Sequence, residues 1–199
     1  WDIPENFAED IPNGTQGTLY ITAETFTSDG TLLGKATRTV PCNVQPSVVP
    51  TIDNVTLSDS GGRVPSNWGV YVRGKSTLHV NVAASGRYNS SIRSYSIKAL
   101  GITEARNDVD IGVTSEAGSI EVEVTVTDSR GRTASTKKTI TVQEYSEPTI
   151  ETFTLERANN LGTVVDNGTF AKIKLKGSGS SVGEKNTVEA KIYHMRSDV

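Results

Sequence analysis

The 199-residue chain has one cysteine, one methionine and two histidines, and only 6% of its residues are aromatic. Cys42 alone allows no internal disulfide, so stability must rest on an apolar core. No histidine lies near Cys42 in sequence, which reads as a partly buried structural thiol and not as a nucleophile. His79 and His194 have no zinc spacing around them, and the chain carries no phosphate loop and no nucleophile elbow. With neither a catalytic constellation nor ligand spacing, the reading is non-enzymatic, with no cofactor and no metal. No apolar run reaches the roughly 18 residues a membrane span needs, so membrane insertion is not expected. Net charge is -3, and the lysines and arginines are scattered with no stripe to neutralise a phosphate backbone, so nucleic acid is not expected as a partner. The start at Trp1 and a single methionine at Met195 suggest a fragment or a processed piece.

Glycine is abundant, with 18 residues, and threonine, serine and valine recur throughout, a composition suited to short half-buried strands joined by tight turns. The chain repeats itself. Pro50-Thr51-Ile52-Asp53-Asn54-Val55-Thr56-Leu57 returns as Pro148-Thr149-Ile150-Glu151-Thr152-Phe153-Thr154-Leu155, an offset of 98 positions. A period near 100 residues is that of an immunoglobulin-like domain. A second echo has the same phase: the hairpin around Ser28-Asp29-Gly30 resembles the hairpin around Asp128-Ser129-Arg130-Gly131, and each precedes a Pro-Thr-Ile segment. In the second hairpin Ile120, Val122, Val124 and Val126 alternate with Glu121, Glu123 and Thr125, which places the apolar set on one face. Its partner strand turns Ile140 and Val142 inward, and Gly131 supplies the residue that tolerates positive φ.

The fold class expected is all-β: tandem immunoglobulin-like or fibronectin III-like antiparallel β-sandwich modules. Residues 1–47 are read as the C-terminal part of a first module, 48–146 as a complete module and 147–199 as the N-terminal part of a third. The complete module is assigned strands near 52–58, 69–73, 76–83, 92–99, 107–113, 118–127 and 133–143. Leu78, Val80 and Val82 form one inward face, with Tyr95 and Ile97 facing the opposite sheet. Residues 4–10 are the one helical turn expected, with Asp2 as cap and Pro12 as terminator. Pro46, Pro50 and Pro148 stiffen the joins, and the modules are expected to form an extended, semi-rigid rod.

Several polar groups bear on chemistry. His79 falls on the solvent phase of its strand, apart from any partner. Asp108, Asp110 and Asp128 lack the dense carboxylate alternation of a calcium loop, and Asp128 reads as a turn cap. Glu121 and Glu123 share a strand face and read as solvation or edge protection. Two stretches are candidate ligand or receptor contacts: Trp68, Tyr71 and Arg73, and Arg87, Tyr88 and Asn89. Trp68 and Tyr88 have rings that stack on sugars, with Arg73, Arg87 and Asn89 as polar partners; in the other reading Trp68 and Tyr71 close the end of a core.

Trp1-Asp2-Ile3-Pro4, Phe7-Ala8, Ile11-Pro12-Asn13, Gly17-Thr18 and Gly30-Thr31-Leu32-Leu33-Gly34 resemble a repeated module of phage tails. Residues 69–76, Ala84-Ser85-Gly86, Ser94-Tyr95 and 126–132 continue the likeness over nearly the whole chain. The family resembled is the minor structural tail proteins, in tail tip or fibre, of long-tailed siphophages of Gram-positive bacteria. The resemblance implies a virion component at the tail, acting outside the cell in host attachment. It implies other phage tail proteins and host cell-surface polysaccharide as partners, and it carries over no catalytic residue. Oligomeric state stays open, since no heptad or triple-helix pattern is present. Two other classes fit the same residues: a bacterial surface adhesin or stalk module, and a carbohydrate-binding accessory module of an enzyme.

Overall fold

A computed structural model describes residues 3–193; Asp2, expected to cap the first turn, and His194 lie outside them. The chain divides into two compact units, one of residues 1–60, 77–112 and 119–140, the other of residues 61–76, 113–118 and 141–199. Nearly all regular structure is strand. A 3-10 turn, Glu5–Asp10, opens the described chain with Pro4 at its N-cap. The hairpin β1 (Gln16–Phe26) and β2 (Leu32–Asn43) follows as a two-stranded antiparallel sheet.

Two sheets then form an all-β core. One has the order β3-β5-β8, from β3 (Thr51–Asp59), β5 (Thr77–Ser85) and β8 (Asp108–Val113). The other has the order β4-β10-β9-β6-β7, from β4 (Tyr71–Val72), β6 (Ile92–Ala99), β7 (Ile102–Glu104), β9 (Gly118–Asp128) and β10 (Thr133–Gln143). Each carries a buried apolar row: Val55, Leu78, Val80, Val82, Val109 and Ile111 in the first, Ile97, Val122, Val124, Val126, Ile140 and Val142 in the second. The period-two alternation produces these rows, since it places every other side chain on one face. Tyr95 is half-buried beside them.

The strand expected at 69–73 shortens to Tyr71–Val72, preceded by a second 3-10 turn, Ser66–Trp68. β4 pairs with β10 in parallel, which departs from the all-antiparallel expectation at one edge. β7 was not anticipated, because its tight turn runs through Leu100 and Gly101, both at positive φ, and leucine is not a residue that signals such a turn.

β11 (Thr149–Ala158) and β12 (Phe170–Ser178) close the strand order as another two-stranded sheet. The 98-residue repeat is physical as well as textual. β3 is bulged between Ile52 and Asn54, and β11 is bulged between Ile150 and Thr152, the same positions one repeat later. Thr51 pairs Ser85 through their hydroxyls at 3.2 Å, and Thr149 pairs Ser178 likewise at 2.8 Å. Burial differs between the copies. Val55 is 3% exposed, whereas its counterpart Phe153 is 53% exposed on a sheet of only two strands.

Candidate functional site: two junction clusters

The two candidate ligand stretches lie in two packed clusters, a first and a second join, one in each compact unit. The first join belongs wholly to the first compact unit and begins with a turn. β9 and β10 are connected through Ser129, Arg130 and Gly131, where Gly131 N–H donates to the Asp128 carbonyl at 2.9 Å and Gly131 has φ 82°. The Asp128 carboxylate fixes this turn, since its Oδ1 accepts the N–H of Arg130 at 3.0 Å and that of Arg132 at 2.9 Å.

The turn aims Arg130 into a ring of carbonyl groups. Its Nε donates to Ile11 O at 2.8 Å, Nη1 to Arg87 O at 2.7 Å, and Nη2 to Ala8 O at 2.7 Å and also to Tyr88 O. Asp128 Oδ2 lies 3.8 Å from Nη1, and neither side chain is exposed. Burial pulls the Arg130 guanidinium below the usual arginine value, while the nearby Asp128 charge pulls the other way. A buried cation is costly unless its donors are satisfied, and here four carbonyl contacts and one carboxylate surround it. Ser129 Oγ donates to Pro12 O at 2.6 Å, and Arg132 Nη2 donates to Val44 O at 2.7 Å.

Arg87, Tyr88 and Asn89 form the facing loop. Tyr88 and Asn89 sit at φ 49° and 61°, closed by the Ser90 N–H donating to Arg87 O at 3.2 Å. Gly86 is required here: a Cβ on it would stand 1.9 Å from Ser90 O. The loop is occupied within the chain. Tyr88 packs on Ala8, Val44 and Val48, and its hydroxyl donates to Glu5 Oε2 at 3.2 Å. Arg87 reaches the same carboxylate oxygen at 3.4 Å, and Asn89 Nδ2 donates to Glu9 O at 3.4 Å. Ser47, Tyr88 and Arg87 together hold the Glu5 carboxyl below its ordinary value, with the Ser47 hydrogen bond the largest cause.

Trp68, Tyr71 and Arg73 belong to the second join, which lies wholly in the other unit. Trp68, Val70 and Tyr145 pack around buried Val64, Val72 and Val182. Val182 occupies the position of Arg87 in an equivalent turn, for Gly183 and Glu184 have φ 54° and 60°, and the Lys185 N–H donates to Val182 O at 3.0 Å. Exposed charge completes this join. Arg73 pairs Glu144 at 3.0 Å, and Lys75 pairs Glu147 while its ammonium stands 5.0 Å from the Tyr145 ring centre. Lys75 and the Tyr145 hydroxyl hold the Glu147 carboxyl below its ordinary value. Tyr71 is half-buried on β4.

His79 has partners that the sequence reading did not assign. Its Nε2 lies 3.1 Å from Asp108 Oδ1 and its Nδ1 2.9 Å from Asp110 Oδ1, across the β5–β8 pair. Asp110 also accepts from Ser60 at 2.7 Å, and these contacts, Ser60 first, hold its carboxyl down. Asp108 and Asp110 are thus tied to a neighbouring strand, and Asp128 caps its own turn. Among the described residues no group of three or more His, Cys, Asp or Glu is placed to hold a metal ion, and no helix is long and apolar enough to cross a membrane.

Arg130, Glu5 and Val182 were missed as contact residues. A hairpin-turn arginine is ordinarily solvated, and only the carbonyl ring formed by distant segments gives it a role. No curated protein matches the chain. Residues 1–177 match the family model described as "Siphovirus protein of unknown function", DUF859, and with most of its length covered the chain belongs to this siphovirus family.

Proposed function

We propose that the chain is a non-enzymatic structural component of the siphophage tail, in tip, baseplate or fibre. In this reading it is a semi-rigid spacer of immunoglobulin-like modules that supports host attachment. The observation that supports it is the use of Arg87, Tyr88 and Arg130 to tie residues 5–11 to the loop at 87–89 and the β9–β10 hairpin. A chain whose most elaborate polar cluster joins its own segments is suited to holding geometry. Family membership supports a virion setting. The partners proposed are other tail proteins, with host surface polysaccharide as what the assembled tail meets; nucleic acid and membrane insertion form no part of the role. A sugar-binding role for Tyr88 draws no support from a hydroxyl already committed to Glu5.

Immunogold labelling of intact phage with antibody to this chain tests the reading. Label at the tail is expected, and absence of the chain from virions would overturn it. Incubation of the purified chain with host cell wall should release no sugar or peptide. Hydrolysis would contradict the non-enzymatic part.

A further inference from the structure

The same three-residue hairpin loop occurs at 27–31, 128–132 and 159–163. In each, the residue at the glycine donates to the first carbonyl, at 3.1, 2.9 and 3.0 Å, with φ 89°, 82° and 77° at Gly30, Gly131 and Gly162. A side-chain oxygen of Thr27, Asp128 or Asn159 caps each loop. What differs is the residue just before the glycine. Asp29 folds back onto Thr27 and Thr31, and Leu161 stands 85% exposed. Arg130 alone among the three is buried in another segment.

The hydrogen bonds that this turn and its facing loop make to residues 8–12 go to main chain. Arg130 reads Ala8 O and Ile11 O, Ser129 reads Pro12 O, and Asn89 reads Glu9 O. Carbonyl groups are present whatever the side chains, so these bonds place the segment without choosing its sequence. Choice enters at two positions. Ala8 is 4% exposed in the Val44 and Val48 cluster, where a longer side chain overpacks, and the Glu5 carboxylate is met by Tyr88, Arg87 and Ser47.

We infer that Arg130 is a coupling residue: it makes the end of the β9–β10 hairpin a backbone-reading socket for one 3-10 turn, with partner choice set by a carboxylate and, three positions on, a small residue. This deepens the spacer reading, and its test is separate, since coupling is measured on the purified chain while tail location is measured on virions.

Amide hydrogen exchange on the whole chain is the experiment, comparing wild type with Arg130→Met, Ala8→Leu and Glu9→Ala. Arg130→Met is expected to raise exchange at residues 7–12 and 44–48 on the order of 100-fold, the loss a broken buried charge cluster gives. Residues 78–82 and 122–126 keep their protection. Ala8→Leu gives the same pattern from the opposite side of the contact, so the inference remains testable if Arg130→Met does not fold. Glu9→Ala changes nothing, because that residue is read through its carbonyl. The inference is overturned if residues 7–12 stay protected in both Arg130→Met and Ala8→Leu. Equal loss of protection at 78–82 and 122–126, or a Glu9→Ala effect as large as that of Arg130→Met, overturns it too.

Discussion

The two joins solve one task with different chemistry. At the first, a buried guanidinium bonds main-chain carbonyls, which neither titrate nor exchange partners with dissolved ions. At the second, buried Val64, Val72 and Val182 supply apolar contact, and an exposed Arg73–Glu144 pair and a partly exposed Lys75–Glu147 pair supply the polar part. Exposed pairs are screened by salt and contribute little each; a satisfied buried charge is screened far less. The difference teaches that the shared left-handed turns at 88–89 and 183–184 are a scaffold. The residue placed just before them, Arg87 or Val182, accompanies a polar or an apolar join.

Four substitutions or conditions probe this contrast. Arg130→Ala is expected to destabilise the first join by about 3–5 kcal/mol, because it removes the charge partner of the buried Asp128 carboxylate and the donors of four carbonyl groups; thermal unfolding followed by exchange at 7–12 measures it. Val182→Ala should cost the second join about 2 kcal/mol, the order of burying one aliphatic side chain, with the first join unmoved in the same assay. Acid comes next. The Glu147 carboxyl is depressed by Lys75 and Tyr145, so its contribution is present above its unfolded value of about 4.3 and is lost as pH falls through the lower folded value. A titration followed by Tyr145 fluorescence or NMR should therefore show the second join loosening only at pH below the ordinary glutamate range. Glu5 is depressed in the same direction, so the first join loses that contact but keeps the Arg130 bonds. Lys75→Ala should cost at most about 1 kcal/mol, within the range of a partly exposed pair. A loss as large as that of Arg130→Ala would erase the distinction.

Much of this architecture was legible in the residues. The alternation through Val122, Val124 and Val126 and through Leu78, Val80 and Val82 gave the buried rows, since a period of two leaves a strand no other way to bury them. Thr-Ile-Asp and Thr-Ile-Glu, 98 residues apart, marked the repeat, and the bulge they share came only with the structure. The joins were less legible. Trp68 and Tyr88 stand out in the sequence as candidate ligand contacts, whereas their partners Val182 and Glu5 are distant in sequence, and no local pattern links them. His79 seemed solitary because Asp108 and Asp110 reach it only through strand pairing. The period also could not reveal that Phe153 and Leu155, patterned like Val55 and Leu57, would stand exposed, because burial depends on what lies opposite a face.

The contrast between a join bonded through the carbonyls around Arg130 and an apolar join edged by charge pairs is tested most directly by hydrogen exchange at fixed pH, with salt raised from about 0.1 M to about 1 M, which shortens the screening length from about 10 to about 3 Å. Exchange at 144–147 and 180–186 should rise while that at 8–12, 87–90 and 128–132 stays constant. Equal sensitivity of both regions, or a response confined to the first, would contradict the account.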